Sequence, residues 1–152
     1  MGLEAAPQEG PGVLDRSGTR PAGDGWLALG AFGVYALLAV AMTWPLARAP
    51  HRLLHGNADV YGNVWAMSWV AHQLPRDPGQ LFDSNIYFPH TKSLAYAESL
   101  VPQGLQALLV VSLGGSPALA YNLVFWMSFA VAGLGVVLLA RELGAARVPA
   151  LL

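Results

Sequence analysis

The residues that could carry chemistry concentrate between Arg48 and Leu100. This segment holds all four histidines and four of the nine acidic residues, namely His51, His55, His72, His90, Asp59, Asp77, Asp83 and Glu98. A carboxylate can act as a general base, and a nearby cation can bind a phosphate. We therefore expect a catalytic or binding site in this segment.

Asp59 is the strongest catalytic candidate, because it stands at the head of the stretch GNADVYGNVWAMSWVAHQLP, residues 56–75. The pattern predicts a helix from Asn57 onward, with Asn57 or Asp59 as N-cap and Pro75 beyond its end. Two roles stay open for Asp59. Its carboxylate could only cap the helix, or it could serve as general base for an incoming hydroxyl or amine.

The predicted helix has one apolar stripe, which recurs at helical spacing and comprises Val60, Val64, Met67, Ala71 and Leu74. Trp65 and Trp69 are four residues apart, and indole rings favour the headgroup level of a membrane. The stripe and the tryptophans predict an amphipathic helix lying in the membrane interface. Packing of this helix on other parts of the protein is the alternative.

The following stretch, QLFDSNIYFPHTKSLAYAESL, has the aromatic and turn-forming composition of a surface loop, with a turn expected at Pro89–His90. Three residues here are the candidates for substrate binding: Lys92, Glu98 and His90. Lys92 could meet a phosphate or could be a solvated surface lysine.

No metal ligands are assigned from the sequence. His51 and His55 are four residues apart, but Pro50 and Gly56 bracket them and no third ligand accompanies them. No cofactor is evident, and the sequence leaves a divalent metal requirement open.

Composition identifies a membrane protein. Hydrophobic residues make up 55% of the chain, charged residues only 11%, and the mean hydropathy is +0.45, whereas soluble domains carry roughly 25% charged residues. The chain has no cysteine, which excludes disulfides, thiol catalysis and cysteine-based zinc sites. The net charge is −1 and the basic residues are scattered, so nucleic acid is excluded as a partner.

Two uncharged runs are long enough to span a bilayer, at residues 26–47 and 118–140. At 1.5 Å per residue the first run reaches roughly 33 Å, against about 30 Å of hydrocarbon. It also exceeds the usual apolar core of a signal peptide. Residues 101–113 are apolar but too short to cross, and residues 1–25 have the composition of a disordered tail.

The domain organisation predicted is therefore a tail (1–25) followed by a transmembrane module (26–152), with an outer loop at 48–100. If residues 101–113 do not cross, four arginines flank one face of the membrane and two flank the other: Arg16, Arg20, Arg141 and Arg147 against Arg48 and Arg52. The positive-inside rule then favours a cytoplasmic N-terminus and an extracytoplasmic loop.

The layout resembles the N-terminal part of GT-C superfamily membrane glycosyltransferases, which include relatives of dolichyl-phosphate-mannose protein mannosyltransferases. The stretches that carry the resemblance are NADVYGNVWAMSW, NIYFPHTKSLAYAESLVPQGLQALLVVSLGGSPALAYNLV and GLGVVLLARELG. Together they extend over most of residues 44–144. Many members have an acidic pair early in the first outer loop, whereas Asp59 is followed by Val60.

The resemblance implies transfer of a sugar from a polyprenyl-phosphate carrier to an acceptor on the extracytoplasmic side, with Asp59 as base or acceptor-orienting residue. It also implies a multi-pass protein of the cell membrane, expected to be a bacterial inner membrane. Because members have more spans, the chain is expected to be an N-terminal piece. The expectation is thus an all-α integral membrane protein, and the alternative function is a non-enzymatic multi-pass protein or assembly subunit.

Overall fold

The computed structural model describes residues 24–144, and the regular secondary structure of this part of the chain consists of helices without strands, which confirms the predicted all-α class. The four α-helices are α1 (Asp24–Met42), α2 (Ala58–Gln73), α3 (Val101–Ser112) and α4 (Pro117–Glu142). Short 3-10 turns form at Leu46–Arg48, Pro78–Gln80 and Ser93–Tyr96. The predicted tail at 1–25 lies outside the described residues except for Asp24 and Gly25, which already belong to α1.

Helix α1 ends at Met42, earlier than the predicted span, which continued to residue 47. The Thr43 N–H still bonds the Ala39 carbonyl at 3.2 Å, as in a helix. Pro45 then ends the helical hydrogen-bond pattern, because proline has no N–H and disfavours helical backbone at the residue before it, here Trp44. The apolar run therefore continues past the helix that it was expected to form.

Helices α1 and α4 are long and apolar enough to cross a membrane. Their 19 and 26 residues correspond to roughly 28 Å and 39 Å, against about 30 Å of hydrocarbon. Only 11% of the apolar window of α1 and 17% of that of α4 are buried within the protein. A core helix of a soluble protein would be mostly covered. Helix α3, with 12 residues, is too short for a span.

The two long helices pack side by side and run antiparallel. Near the start of α1, Ala31 is buried against Val137 of α4. Further along, Tyr35 lies over Gly133, and at the end of α1 the Trp126 indole N–H donates to the Thr43 hydroxyl at 2.9 Å. The chain thus leaves α1 and enters α4 at the same end of the pair.

Polar contacts from the first turns of α4 fix the segment that follows α1. The Asn122 side chain is fully buried, and its amide donates to the carbonyls of Pro50 at 2.7 Å and Leu53 at 2.8 Å. The Ser116 hydroxyl donates to the His51 carbonyl at 2.8 Å and also accepts the Leu119 N–H as the N-cap of α4. These bonds place residues 50–53 before α2 begins.

Helix α2 packs on α3 and α4. Two clusters cover it, one of Met67, Ala71, Ala107, Ala120 and Val124, the other of Ala66, Val70, Leu81 and Leu94. A Cβ on Gly104 would lie 2.4 Å from the Cβ of Val70, so a glycine is required where α3 crosses α2.

The apolar stripe predicted for α2 is buried at Val60, Met67 and Ala71 and half-buried at Val64 and Leu74. Met67 and Ala71 of this stripe pack on α3 and α4. Packing on other parts of the protein, the alternative given above, therefore accounts for the apolar face of α2. A position of α2 in the membrane interface stays a prediction.

Gly133 offers a test of the α1–α4 contact. A Cβ at this position would lie 2.2 Å from Cγ of Tyr35, whereas a Cβ at Gly135 of the same helix would meet no atom within 4 Å. Overpacking of this kind costs about 1–3 kcal/mol, while an open helical Gly→Ala change gains roughly 0.5–1 kcal/mol. We expect Gly133→Ala to lower the thermal unfolding temperature in detergent and Gly135→Ala to leave it equal or higher. Equal unfolding temperatures for both variants would contradict the packing described.

Asn122 offers a test of the anchor after α1. Asn122→Ala removes the hydrogen bonds to the Pro50 and Leu53 carbonyls, each worth about 0.5–1.5 kcal/mol. We expect faster trypsin cleavage after the exposed Arg52 and a lower unfolding temperature. Ser112→Ala is the matched control, because the Ser112 hydroxyl is exposed and bonds only the Leu109 carbonyl of its own helix. Cleavage at the control rate would show that Asn122 does not hold this segment.

Candidate functional site

The start of α2 is fixed by two residues that precede it. Asn57 is the N-cap, and its side-chain oxygen accepts the Asp59 N–H at 3.2 Å. Gly56 has φ +137°, and a Cβ there would lie 2.5 Å from Cγ2 of Val60, so this position requires glycine. Asn57 and Asp59 were alternative predictions for the N-cap of α2, and the structure confirms Asn57.

Asp59 occupies the first turn of α2 with an exposed side chain. Its carboxylate interacts favourably with the helix dipole at this position. Because Asn57 performs the capping, the Asp59 carboxylate is available for other contacts.

A cavity of about 550 Å³ opens beside this turn. It lies between the first half of α2 and the segment at 86–98, and its walls are formed by Asp59, Gly62, Asn63, Trp65, Ala66, Ile86, Tyr87, Ser93, Leu94, Ala97 and Glu98. We call it the polar cavity after the polar side chains of Asp59, Asn63 and Glu98, which line it together with apolar and aromatic residues. It brings together two of the predicted site residues, Asp59 and Glu98, which are far apart in the chain.

The segment that forms the second wall is held by a buried pair of serines. The Ser93 hydroxyl donates to the Ser84 carbonyl at 3.0 Å, and the two hydroxyl oxygens are 2.7 Å apart. Since Ser93 uses its proton on the carbonyl, the Ser84 hydroxyl donates to Ser93. The Leu94 N–H also donates to the Phe82 carbonyl at 3.0 Å. These hydrogen bonds therefore join the two ends of the segment at residues 82–94.

Two tryptophans connect this segment to α2. The Trp69 indole N–H donates to the Leu81 carbonyl at 2.8 Å, and Leu81 is buried in the same cluster as Leu94. The rings of Trp65 and Trp69 stack with centroids 6.3 Å apart, and Trp65 forms part of the cavity wall. The position of the wall thus depends on contacts of Trp69.

His90 and Lys92, the other predicted binding residues, do not form the cavity wall. Both are exposed on the adjoining segment. The Lys92 N–H donates to Oδ1 of Asp83 at 2.6 Å, and the His90 ring lies 6.2 Å from the ring of Tyr96. Tyr96 in turn lies 6.2 Å from Tyr87, which does line the cavity.

Three wall residues with polar side chains were not assigned any role from the sequence: Asn63, Tyr87 and Ser93. Trp65 was assigned to membrane anchoring. Asp59, Asn63 and Ala66 follow one another at offsets of four and three, which places them on one helix face. That helical spacing was the sequence signal from which the side of the cavity formed by α2 could have been predicted. The wall formed by Tyr87 and Ser93 has no periodic pattern.

Among residues 24–144, no group of three or more histidine and acidic side chains is arranged to hold a metal ion. His51 and His55 are both exposed. The chemistry that these described residues offer is that of two carboxylates beside aromatic rings.

Trp69→Phe tests the link between α2 and the cavity segment. The variant keeps a ring but loses the bond to the Leu81 carbonyl, worth about 0.5–1.5 kcal/mol. We expect amide hydrogen exchange at residues 82–94 to become roughly twofold to tenfold faster, because local opening sets this rate. Trp65→Phe is the comparison, since Trp65 stacks on Trp69 but is not the residue bonded to Leu81. Exchange in this segment that is unchanged by Trp69→Phe would refute the link.

Comparison of the chain with protein-family models, curated proteins and solved structures gives no match.

Proposed function

We propose that the chain is the N-terminal portion of a membrane glycosyltransferase, which transfers a sugar from a polyprenyl-phosphate carrier to an acceptor outside the cytoplasm. The observation that carries the proposal is the convergence of Asp59 and Glu98 with the rings of Trp65 and Tyr87 on one cavity. The same part of the chain holds two helices apolar enough to cross a membrane.

The walls of the polar cavity suit a carbohydrate. Carboxylate oxygens accept hydrogen bonds from sugar hydroxyls, and the Asn63 amide can both donate and accept. The faces of Trp65 and Tyr87 provide flat apolar surface for the C–H face of a sugar ring. A volume of about 550 Å³ falls within the roughly 300–1,000 Å³ usual for small-molecule sites.

Residues at the end of α1 suit a protein that binds a donor anchored in a bilayer. Trp44, at the end of α1, is 56% exposed, and the Arg48 guanidinium lies 5.0 Å from its ring centroid. A tryptophan with a neighbouring arginine is typical of the membrane–water boundary. We place the polar cavity just outside this boundary in a multi-pass protein of a bacterial inner membrane. The arginine distribution favours the extracytoplasmic side.

In the proposed reaction, the Asp59 carboxylate takes the proton of the acceptor hydroxyl or amine. The freed electron pair forms the bond to the anomeric carbon of the sugar. The bond from that carbon to the phosphate oxygen breaks, and polyprenyl phosphate leaves with its electron pair. Glu98 accepts hydrogen bonds from the sugar hydroxyls, while Lys92 and His90 bind the phosphate at the rim of the cavity.

Asp59→Asn separates catalysis from structure. Asn57 remains as the cap, so the change removes one charge near the helix dipole, worth about 0.3–1 kcal/mol, and abolishes the general base. We expect normal accumulation and transfer reduced by roughly 10²–10⁴-fold. The assay measures sugar transfer from polyprenyl-phosphate sugar in membranes that contain the product of the complete reading frame.

Asp77→Asn is the control, because Asp77 is an exposed acid that follows α2 and does not line the cavity. Its own bond, from the Gly79 N–H to Oδ1 at 3.1 Å, can be kept by asparagine. Transfer by Asp59→Asn at the rate of the control would remove Asp59 from the reaction. No transfer by any variant or by wild type would favour the non-enzymatic alternative, an assembly subunit.

A further inference from the structure

The segment between α1 and α2 is cationic, and we call residues 48–55 the basic segment. Four of its eight side chains are exposed and are arginine or histidine, namely Arg48, His51, Arg52 and His55. The sequence contains no aspartate or glutamate from residue 25 to residue 58. The basic segment therefore presents positive charge that no acid nearby in the sequence offsets.

The two arginines of the basic segment have hydrogen-bond donors to spare. The Arg48 guanidinium lies 5.0 Å from the ring centroid of Trp44, and among residues 24–144 neither Arg48 nor Arg52 forms an ion pair. A guanidinium carries five N–H donors in a planar fork, and this geometry matches the oxygens of a phosphate. Both side chains can therefore bind an anion from outside the chain.

Contacts with α4 set the depth of the basic segment in a bilayer. The Trp126 indole N–H donates to the Thr43 hydroxyl where α1 ends, and this level marks the edge of the hydrocarbon that α1 would span. Asn122, four residues nearer the start of α4, donates to the carbonyls of Pro50 and Leu53. Four helical residues advance about 6 Å, and the headgroup layer on each side of a bilayer is roughly 5–7 Å thick. The backbone of the basic segment is therefore held at headgroup level.

We propose that the basic segment binds the phosphate groups of anionic phospholipids in the surrounding bilayer, such as phosphatidylglycerol. Arg48 and Arg52 donate to the lipid phosphates, and the Trp44 ring lies at the boundary between headgroups and hydrocarbon. Neither arginine lines the polar cavity, so a bulk lipid fits this position better than the phosphate of a sugar donor does. The inference requires that α1 and α4 span the membrane, and it does not depend on sugar transfer.

The backbone of the basic segment is already ordered for this contact. The carbonyls of Pro50, His51 and Leu53 accept bonds from Asn122 and Ser116 of the α4 end. The Arg52 N–H also donates to the Ala49 carbonyl at 3.0 Å. Binding of a lipid phosphate then immobilises only side chains, which lowers the entropic cost relative to a flexible basic tail.

The test measures lipid binding to the full chain in detergent by native mass spectrometry. The protein is titrated with phosphatidylglycerol or with phosphatidylcholine of the same acyl chains. We expect wild type to bind phosphatidylglycerol more tightly. The double variant Arg48→Gln/Arg52→Gln should bind phosphatidylglycerol at least tenfold more weakly, since each basic residue near an anionic surface contributes about fivefold. Its binding of phosphatidylcholine should not change. Equal affinity of wild type for the two lipids would refute the inference.

Arg76→Gln is the control for net charge. Arg76 is exposed and follows α2, and its guanidinium donates to the His72 carbonyl at 2.6 Å. This variant removes the same charge as Arg48→Gln or Arg52→Gln alone, and we expect it to bind phosphatidylglycerol like wild type. If the three single variants lose equal affinity, net charge rather than the basic segment sets the binding, and the proposal fails.

Sugar-free polyprenyl phosphate distinguishes the two sources of phosphate. Its binding should survive in the double variant, because the proposed function assigns the donor phosphate to Lys92 and His90. Loss of polyprenyl phosphate binding with phosphatidylglycerol binding retained would assign the arginines to the donor and overturn this inference. Preference for phosphatidylglycerol that depends on Arg48 and Arg52, in a protein that transfers no sugar, would support the lipid site and refute the proposed function.

Discussion

The fold depends on one buried amide. Asn122 has no exposed surface in an otherwise apolar stretch of α4, and its two N–H bonds go to the carbonyls of Pro50 and Leu53. Each of these bonds contributes about 0.5–1.5 kcal/mol, so together they favour one position of the segment on α4. Gly56 and Asn57 follow within a few residues and fix the start of α2. The location of the Asp59 carboxylate is therefore set by a contact on another helix.

Close packing of small residues allows this arrangement with little buried surface. Among the described residues, seven alanines have less than a tenth of their surface exposed: Ala31, Ala39, Ala66, Ala71, Ala107, Ala120 and Ala130. Gly104 and Gly133 let α3 and α4 approach Val70 and Tyr35. Small residues at contacts between helices are characteristic of association within a bilayer, where burial of apolar surface adds no hydrophobic driving force. Large side chains such as Leu37 and Leu139 stay exposed, at 72% and 61%.

The helices could be predicted from sequence because each has a local signal. Charge-free runs predicted α1 and α4, and the Asn57 cap with the apolar spacing predicted α2. The length of the apolar run at α3 predicted a segment too short to span a membrane. The polar cavity could not be predicted, because it depends on contacts between distant residues. The bonds of Ser84 with Ser93 and of Trp69 with the Leu81 carbonyl follow no period. Thus Asp59 and Glu98 were separate candidates in the sequence, and only the folding of residues 82–94 places them on one cavity.

The tryptophan pair shows how the membrane and the site can share residues. From the sequence, Trp65 and Trp69 were expected to anchor α2 at headgroup level, yet Trp69 directs its N–H to the Leu81 carbonyl and Trp65 forms cavity wall. A ligand in the polar cavity that contacts Trp65 and Tyr87 would bridge α2 and the opposite segment. Binding to the folded arrangement alone stabilises it by mass action. Occupancy of the cavity and order of the segment at 82–94 are then coupled. Trp65, in the cavity wall, stacks on Trp69, and the Trp69 indole N–H bonds the Leu81 carbonyl next to that segment.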